Sequence, residues 1–419
     1  MADAPPRHIL IFEPDERGHA REWFEHLTRF AAERHPYLKL TLAVPRRLAE
    51  AIHVPPSTSI QTLSEKEERR SLAPQLAVSG MGRWNTMQSH LASSGADYGF
   101  FLGLDHITLP LALGLRARRP VSGILFRPSA HYDDDHAASR TSLKERIRDL
   151  RKQVLYALML RNPSLDIVFS LDPYFLSTTA TSKVRGLVDP AFPLPAPSPE
   201  AAGIRPTDGR VLFLLFGEIS ERKGLLALFD ALAHLAPETA ARMSVLVAGR
   251  IEPPLRELAA ERADALRSVL PLRLSFDDRF LPAEELAGLV RRADVILAPY
   301  QRFVGSSGVM LWAASAGKPI ITQDYGLIGR LTREHRLGLA VDTTDAAALA
   351  SAISKAVRRG PAALAEEKTV KAFAAHRTPG RFAATILDGV LKREPSQTAA
   401  REAGEEIARS RTGHASSLR

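Results

Sequence analysis

Two stretches in the second half of the chain carry residue types suited to holding phosphate. In YQRFVGSSGVMLWAASAGKPII, Tyr300 to Ile321, the small residues Gly305, Ser306, Ser307 and Gly308 precede an apolar run that starts at Val309 and has the length of a short helix. Small residues let backbone approach a ligand closely. A helix opening there aims unpaired N–H groups and a positive dipole end at an anion. Every helix start has such donors, so an ordinary helix N-terminus explains this segment equally well by itself. In GEISERKG, Gly217 to Gly224, a turn follows an apolar run and leads into a second apolar helix. That spacing puts Lys223 at the mouth of a site for a diphosphate, with Arg222 beside it; the competing reading is a solvated Lys-Arg pair in a plain strand-to-helix loop.

The first half offers polar residues where strands end. Arg17, Gly18 and His19 follow the first apolar run in EPDERGHAREWFEHL: Gly18 permits close backbone approach, and His19 either faces a ligand or begins the helix. Asp105 and His106 close YGFFLGLDH, where a neutral imidazole can hydrogen-bond a ligand hydroxyl or simply sit satisfied in a loop. Arg127 and His131, in FRPSAHYDDD, are of the same kind. Asp133, Asp134 and Asp135 between His131 and His136 suggest a metal cage, but consecutive side chains splay apart, and a solvated acidic loop is the expectation. No metal is expected. With no cysteine in the chain, disulfides, thiolate metal sites and cysteine nucleophiles are excluded.

The elements that must position these residues follow from hydrophobic patterning. Short apolar runs beginning at His8, Leu38, Tyr98, Val121 and Asp166 read as strands, separated by segments of helical period at Ala20 to Arg34, Arg83 to Ser93 and Leu143 to Arg161. The pattern breaks at Ala191 to Asp208, AFPLPAPSPEAAGIRPTD, where prolines oppose both helix and ladder. It resumes with runs from Val211, Ser244, Leu272, Val295 and Pro319. The expected organisation is α/β: two Rossmann-like domains facing across a cleft, over residues 1–190 and 209–380, joined by a proline-rich linker at 191–208. A helix over 381–393 returns across the hinge, and 394–419 is polar enough to predict disorder. A length of 419 residues suits two domains and a tail.

No run approaches the roughly eighteen apolar residues of a membrane span, and no signal peptide opens the chain, so a cytoplasmic location is expected. A net charge of +9 favours an anionic partner. Nucleic acid is disfavoured, because the basic residues are dispersed and aromatics make up only 6%, too few for a stacking platform. The segment LKERIRDLRKQVLYALMLR, Leu143 to Arg161, is either an ordinary amphipathic crossover helix or one that docks on an anionic bilayer and brings a lipid acceptor within reach.

Taken together and in this order, GEISERKG, the VLVAGR stretch ending at Gly249 and Arg250, DDRFLPAEELAGLVRRADVILAPY and GSSGVMLWAASAGKPIITQDYGLIG resemble the donor-nucleotide domain of GT-B glycosyltransferases of family 4. The resemblance spans about Val211 to Val357 and is weaker over the first half. It implies the GT-B architecture and a retaining, metal-independent transfer of a sugar from a nucleotide diphosphate sugar to a hydroxyl acceptor, as in polysaccharide biosynthesis, with no cofactor. It also implies that Lys223, with Arg222 nearby, meets the donor diphosphate and that the loop from Gly305 through Ser306, Ser307 and Gly308 to Val309 offers backbone N–H groups. His106 would contact the sugar, and Gly18, His19 and Arg127 would line the acceptor side.

The chain departs from the family pattern in two places. Glu218 stands where an arginine is usual, and Val304 and Trp312 stand where two glutamates are usual. Indole cannot accept hydrogen bonds from a ribose diol, so Trp312 is expected to fill core space behind the loop or to pack on a sugar or base. These departures keep two other readings open: a noncatalytic nucleotide- or sugar-binding scaffold, and a nucleotide-sugar epimerase.

Overall fold

The computed structural model describes residues 5–17, 20–128, 143–178, 181–196, 209–301 and 303–391. The chain divides into two compact units. Unit 1 takes residues up to Asp189 together with those from Pro379 onward, and unit 2 comprises Pro190–Thr378.

Unit 1 is a seven-stranded parallel sheet in the order β3-β2-β1-β4-β5-β6-β7. Its strands are β1 (His8–Phe12), β2 (Lys39–Val44), β3 (Thr58–Thr62), β4 (Tyr98–Phe101), β5 (Val121–Leu125), β6 (Leu165–Ser170) and β7 (Val184–Gly186). Three of its helices bear on function: α1 (Ala20–Arg34), α2 (Leu76–Ser94) and α3 (Leu143–Arg161). Along α1, Trp23, Phe24, Leu27, Thr28 and Ala31 are buried on one face, and Pro36 follows its end, as expected where a helix must stop. Helix α2 closes on Gly95, whose φ of +67° is a left-handed conformation that glycine adopts without a Cβ penalty.

Unit 2 repeats the plan with six strands in the order β10-β9-β8-β11-β12-β13. They are β8 (Val211–Phe216), β9 (Met243–Ala248), β10 (Arg273–Asp277), β11 (Val295–Ala298), β12 (Ile320–Gln323) and β13 (Gly338–Val341), with helices α4 (Leu225–Ala233) and α5 (Gly308–Ser315) among the crossovers. Central strands read as unbroken apolar runs because both faces are covered: VLFLLF of β8 is buried from Leu212 to Phe216. Phe213 and Phe229 anchor the core behind it, each contributing roughly 1.5–3 kcal/mol of burial free energy. Residues 191–196 take no helix or strand; Ala191 N–H donates to Arg377 O, and Arg291 donates to Leu194 O.

The last described helix, α6 (Pro379–Val390), belongs to unit 1, where Phe382 packs 4.6 Å from the Trp23 ring of α1. Residues 394–419 lie outside the described residues. Three strands escape the sequence pattern: β3, β7 and β13. All three are sheet edges, where one side faces solvent and an apolar run is not required.

Candidate functional site

In both sheets the strand order reverses beside the first strand, between β1 and β4 and between β8 and β11. Ligands of such sheets bind outside the carboxyl ends of the strands at this reversal.

In unit 2, β8 runs into Gly217, and the turn over Glu221–Lys223 ends at Gly224 with φ +76°. A Cβ on Gly224 would sit 1.9 Å from Pro299 O, so only glycine lets this turn press against the end of β11. That contact carries Lys223 into the crevice, where it is just 8% exposed. Its Nζ donates to Tyr300 Oη at 3.0 Å and to Phe216 O at 3.4 Å. Tyr300 Oη in turn shares a 2.8 Å hydrogen bond with Ser307 Oγ. An ammonium has three donors, so one remains for a ligand.

The Ser307 hydroxyl, engaged with Tyr300, makes no side-chain cap on α5. Among the described residues the first N–H groups of α5, at Gly308 and Val309, have no hydrogen-bond partner and lie at the positive end of the helix dipole, while Ser307 contributes its carbonyl to Met310 N–H. The loop ahead of α5 is pinned from behind. Gln323 accepts from Phe303 N–H at 3.1 Å and donates to the carbonyls of Phe303 and Tyr325. Thr343 Oγ1 donates to Tyr300 O at 2.8 Å.

Tyr300 thus links Lys223 to Ser307, the residue that precedes Gly308 and Val309 at the start of α5, with Gly305 and Ser306 in the loop ahead of it. Arg222 takes a different place. It is exposed, and its guanidinium lies 4.6 Å over the Phe303 ring and 5.4 Å over Tyr300, covering the loop. Tyr300, which links the two motifs, is the residue that sequence reasoning missed. Its signal was available, because it ends the β11 run at the reversal.

Val304 passes its carbonyl to Leu327 N–H. Trp312 is half-buried, its ring 6.1 Å from Phe216, so it stands partly open beside the crevice and fills the core behind the loop only in part. Glu218 pairs with Arg250 at 3.1 Å, both well exposed.

In unit 1, β1 leads into Glu13, 8% exposed, whose Oε1 accepts from Arg83 Nη1 at 3.2 Å and from Asp15 N–H at 3.0 Å. Burial pushes the Glu13 carboxyl above its usual range, and Arg83 works against that shift. Arg83 is itself buried on α2 and also donates to Ser71 O. One turn earlier Gly80 brings α2 close: a Cβ there would lie 2.7 Å from His106 O. His106 stands exposed on the turn Asp105–Ile107, and desolvation first, then Arg83, lowers its pKa, which keeps the imidazole neutral at neutral pH.

Asp105 is occupied structurally, accepting from Phe126 N–H at 2.8 Å and Arg127 N–H at 3.0 Å. Arg127 is exposed at the end of β5. Gly18 and His19 lie outside the described residues, as do His131, Asp133 to Asp135 and His136. Glu13 and Arg83 were not singled out from sequence, since a lone carboxylate after a strand and an arginine inside a helix carry no local signal. Among the described residues no three histidine, aspartate or glutamate side chains gather to hold a metal ion, and no helix is long and apolar enough to cross a membrane.

Residues 210–359 match the family model for glycosyl transferases group 1. No curated protein sequence matches the chain. Among solved structures, HepE of Anabaena in complex with UDP is similar with a TM-score of 0.59 at 16% identity, covering 92% of this chain and 98% of that one. WaaG, described as a glycosyltransferase involved in lipopolysaccharide biosynthesis, gives a TM-score of 0.60 at 15% identity over 91% and 99%. Sucrose-phosphate synthase of Thermosynechococcus elongatus gives 0.63 at 15% identity over 97% and 100%. The fold is therefore the GT-B architecture of two parallel-sheet α/β domains.

Proposed function

We propose that this chain is a glycosyltransferase that moves a sugar from a nucleotide diphosphate sugar to a hydroxyl acceptor. The observation that carries the reading is the array Lys223–Tyr300–Ser307 at the β8/β11 reversal, next to the uncapped start of α5. It offers cationic and N–H donors, the complement of a diphosphate. Two comparisons support it: the glycosyl transferases group 1 match lies on this unit, and HepE was solved with UDP.

As the glycosidic bond to the donor breaks, negative charge grows on the leaving diphosphate and positive charge on the sugar. Lys223 and the N–H groups of Gly308 and Val309 stabilise the leaving group, each such donor being worth about 10²–10³ in rate where it is preorganised. Among the described residues no carboxylate or imidazole hydrogen-bonds to Lys223, Tyr300 or Ser307, and in this reading the leaving phosphate accepts the acceptor's proton. Retention of configuration and independence from metal, as in family 4, belong to the same proposal. Turnover should then survive chelation by EDTA.

Calorimetry with UDP and GDP, followed by product analysis with their hexose conjugates, tests the reading. Binding and transfer, both sharply reduced in Lys223→Ala, are expected. Binding with no turnover would favour the noncatalytic scaffold, which Val304 and Trp312 motivate; an altered sugar on the nucleotide would favour an epimerase.

A second partner follows from α3. Ile147, Leu150, Val154 and Leu158 are all exposed and, at spacings of three and four residues, form one stripe flanked by exposed Arg151 and Arg161. Apolar side chains between guanidinium groups suit the surface of an anionic bilayer. The protein in this reading is cytoplasmic and peripherally membrane-bound. Cosedimentation with phosphatidylglycerol vesicles, absent with phosphatidylcholine and lost in Leu150→Glu, is the expected result; equal binding to both vesicles would end the idea.

A further inference from the structure

The start of α5 supplies hydrogen-bond donors, and the turn that follows supplies no acceptor to go with them. From Val309 to Ala314 every side chain except Trp312 is buried, and none of them carries an oxygen. Ser315, the first hydroxyl along the helix, donates to Phe192 O at 3.5 Å. Trp312 stands half-buried, its ring 6.1 Å from that of Phe216 at the end of β8. Indole donates one hydrogen bond and accepts none. Glu218, the carboxylate that follows β8, is exposed and paired with Arg250.

Position decides which part of a nucleotide diphosphate sugar meets this ring. Trp312 lies one turn beyond Gly308 on the same helix face, about 5.4 Å along the axis from the N–H groups that face the diphosphate. Two groups are bonded to a diphosphate and can lie that near it: the ribose of the nucleoside and the sugar to be transferred. The transferred sugar must stay open to an acceptor. Trp312 instead backs onto Phe216, which is just 4% exposed in the sheet of unit 2, so the group beside it is the one this unit keeps to itself. A ribose packed there meets a ring with its C–H groups and finds no side-chain acceptor on α5 for its hydroxyls. Removing a ribose hydroxyl lowers affinity only where the protein bonds to it.

We propose that Trp312 packs on the ribose of the donor without reading its hydroxyls, so that this chain takes deoxyribonucleotide diphosphate sugars as well as ribonucleotide ones. The placement of the diphosphate, on which this depends, is that of the transferase reading above.

Calorimetry on the full chain with UDP against dUDP, and with GDP against dGDP, tests this. Whichever base binds, the two members of its pair should have dissociation constants within about threefold of each other. Trp312→Glu sets a carboxylate where the ring stood and should favour the ribonucleotide at least about tenfold, as expected for a hydrogen bond to a charged group. Trp312→Phe keeps an aromatic ring and serves even if the glutamate variant fails to fold. It should leave the two affinities equal and abolish quenching of tryptophan fluorescence by either nucleotide, since Trp23 and Trp84 are buried in unit 1. A ribonucleotide preference of about tenfold or more in the wild-type chain would overturn the proposal. So would quenching that survives Trp312→Phe, or a folded glutamate variant that stays indifferent to the hydroxyl. No binding within either pair would instead overturn the transferase reading, and this inference with it.

Discussion

The two crevices of this molecule share a topology and differ in polarity. Each lies where the strand order reverses beside the first strand, at β1/β4 in unit 1 and β8/β11 in unit 2. In unit 2 the reversal gathers an ammonium, two hydroxyls and helix N–H groups. In unit 1 it gathers a carboxylate, the arginine that partners it and a neutral imidazole. One sheet plan therefore supplies the same strand reversal twice, and a few side chains give each its own polarity. The supports differ as well: unit 2 holds its cation with a glycine at positive φ, whereas unit 1 holds its carboxylate with an ion pair.

That contrast can be broken at its strongest point in unit 1. Replacing Arg83 with Leu strands a buried carboxylate, and the expected loss is about 3–5 kcal/mol in denaturant melts at neutral pH. Because burial already raises the Glu13 pKa, the deficit should shrink as pH falls through the folded-state value and Glu13 takes up a proton. A melt unchanged by the substitution would mean that the pair is solvated.

In unit 2 the matching substitution is functional. Lys223→Ala should leave a folded chain and lower turnover of the nucleotide sugar by about 10²-fold or more, read by product release. A retained rate would remove Lys223 from the chemistry and erase the contrast between a structural pair and a functional cation.

Tyr300→Phe sharpens the comparison within unit 2. It deletes the hydroxyl that Lys223 and Ser307 share and keeps the ring beneath Arg222 and Lys223. Loss of one such link is worth about 1 kcal/mol, so UDP affinity should fall by up to about tenfold in calorimetry. Full affinity would show that Lys223 needs no relay to the loop.

The smallest effect is expected at His106. Its pKa is lowered in the fold, so its contribution to stability is present above the ordinary imidazole pKa and is lost as pH falls through the lowered one. His106→Gln should narrow the difference in melting temperature between neutral and mildly acidic solution, and an unchanged difference would place the ring in free solvent.

Legibility followed burial. Runs such as VLFLLF and the stripe of α1 are covered on the faces their patterns require, so their periodicity identified them directly. The edge strands β3 and β13 are only partly covered, and their mixed residues TSIQT and GLAV carried no such pattern. The two motifs around Lys223 and Ser307 were also readable, because each is a local strand-turn-helix whose glycines and small residues announce it.

What the linear chain determined by itself was therefore local: the central strands, the amphipathic helices, and the turns that put Lys223 and the Gly-Ser loop at element ends. Only the tertiary structure decided that a tyrosine joins those two motifs across 77 residues of sequence, and that Glu13 finds Arg83 across 70. The physical reason is that turn chemistry and periodicity act over a few neighbouring residues. A hydrogen bond or ion pair between distant residues arises only when the order of strands in a sheet brings their ends together.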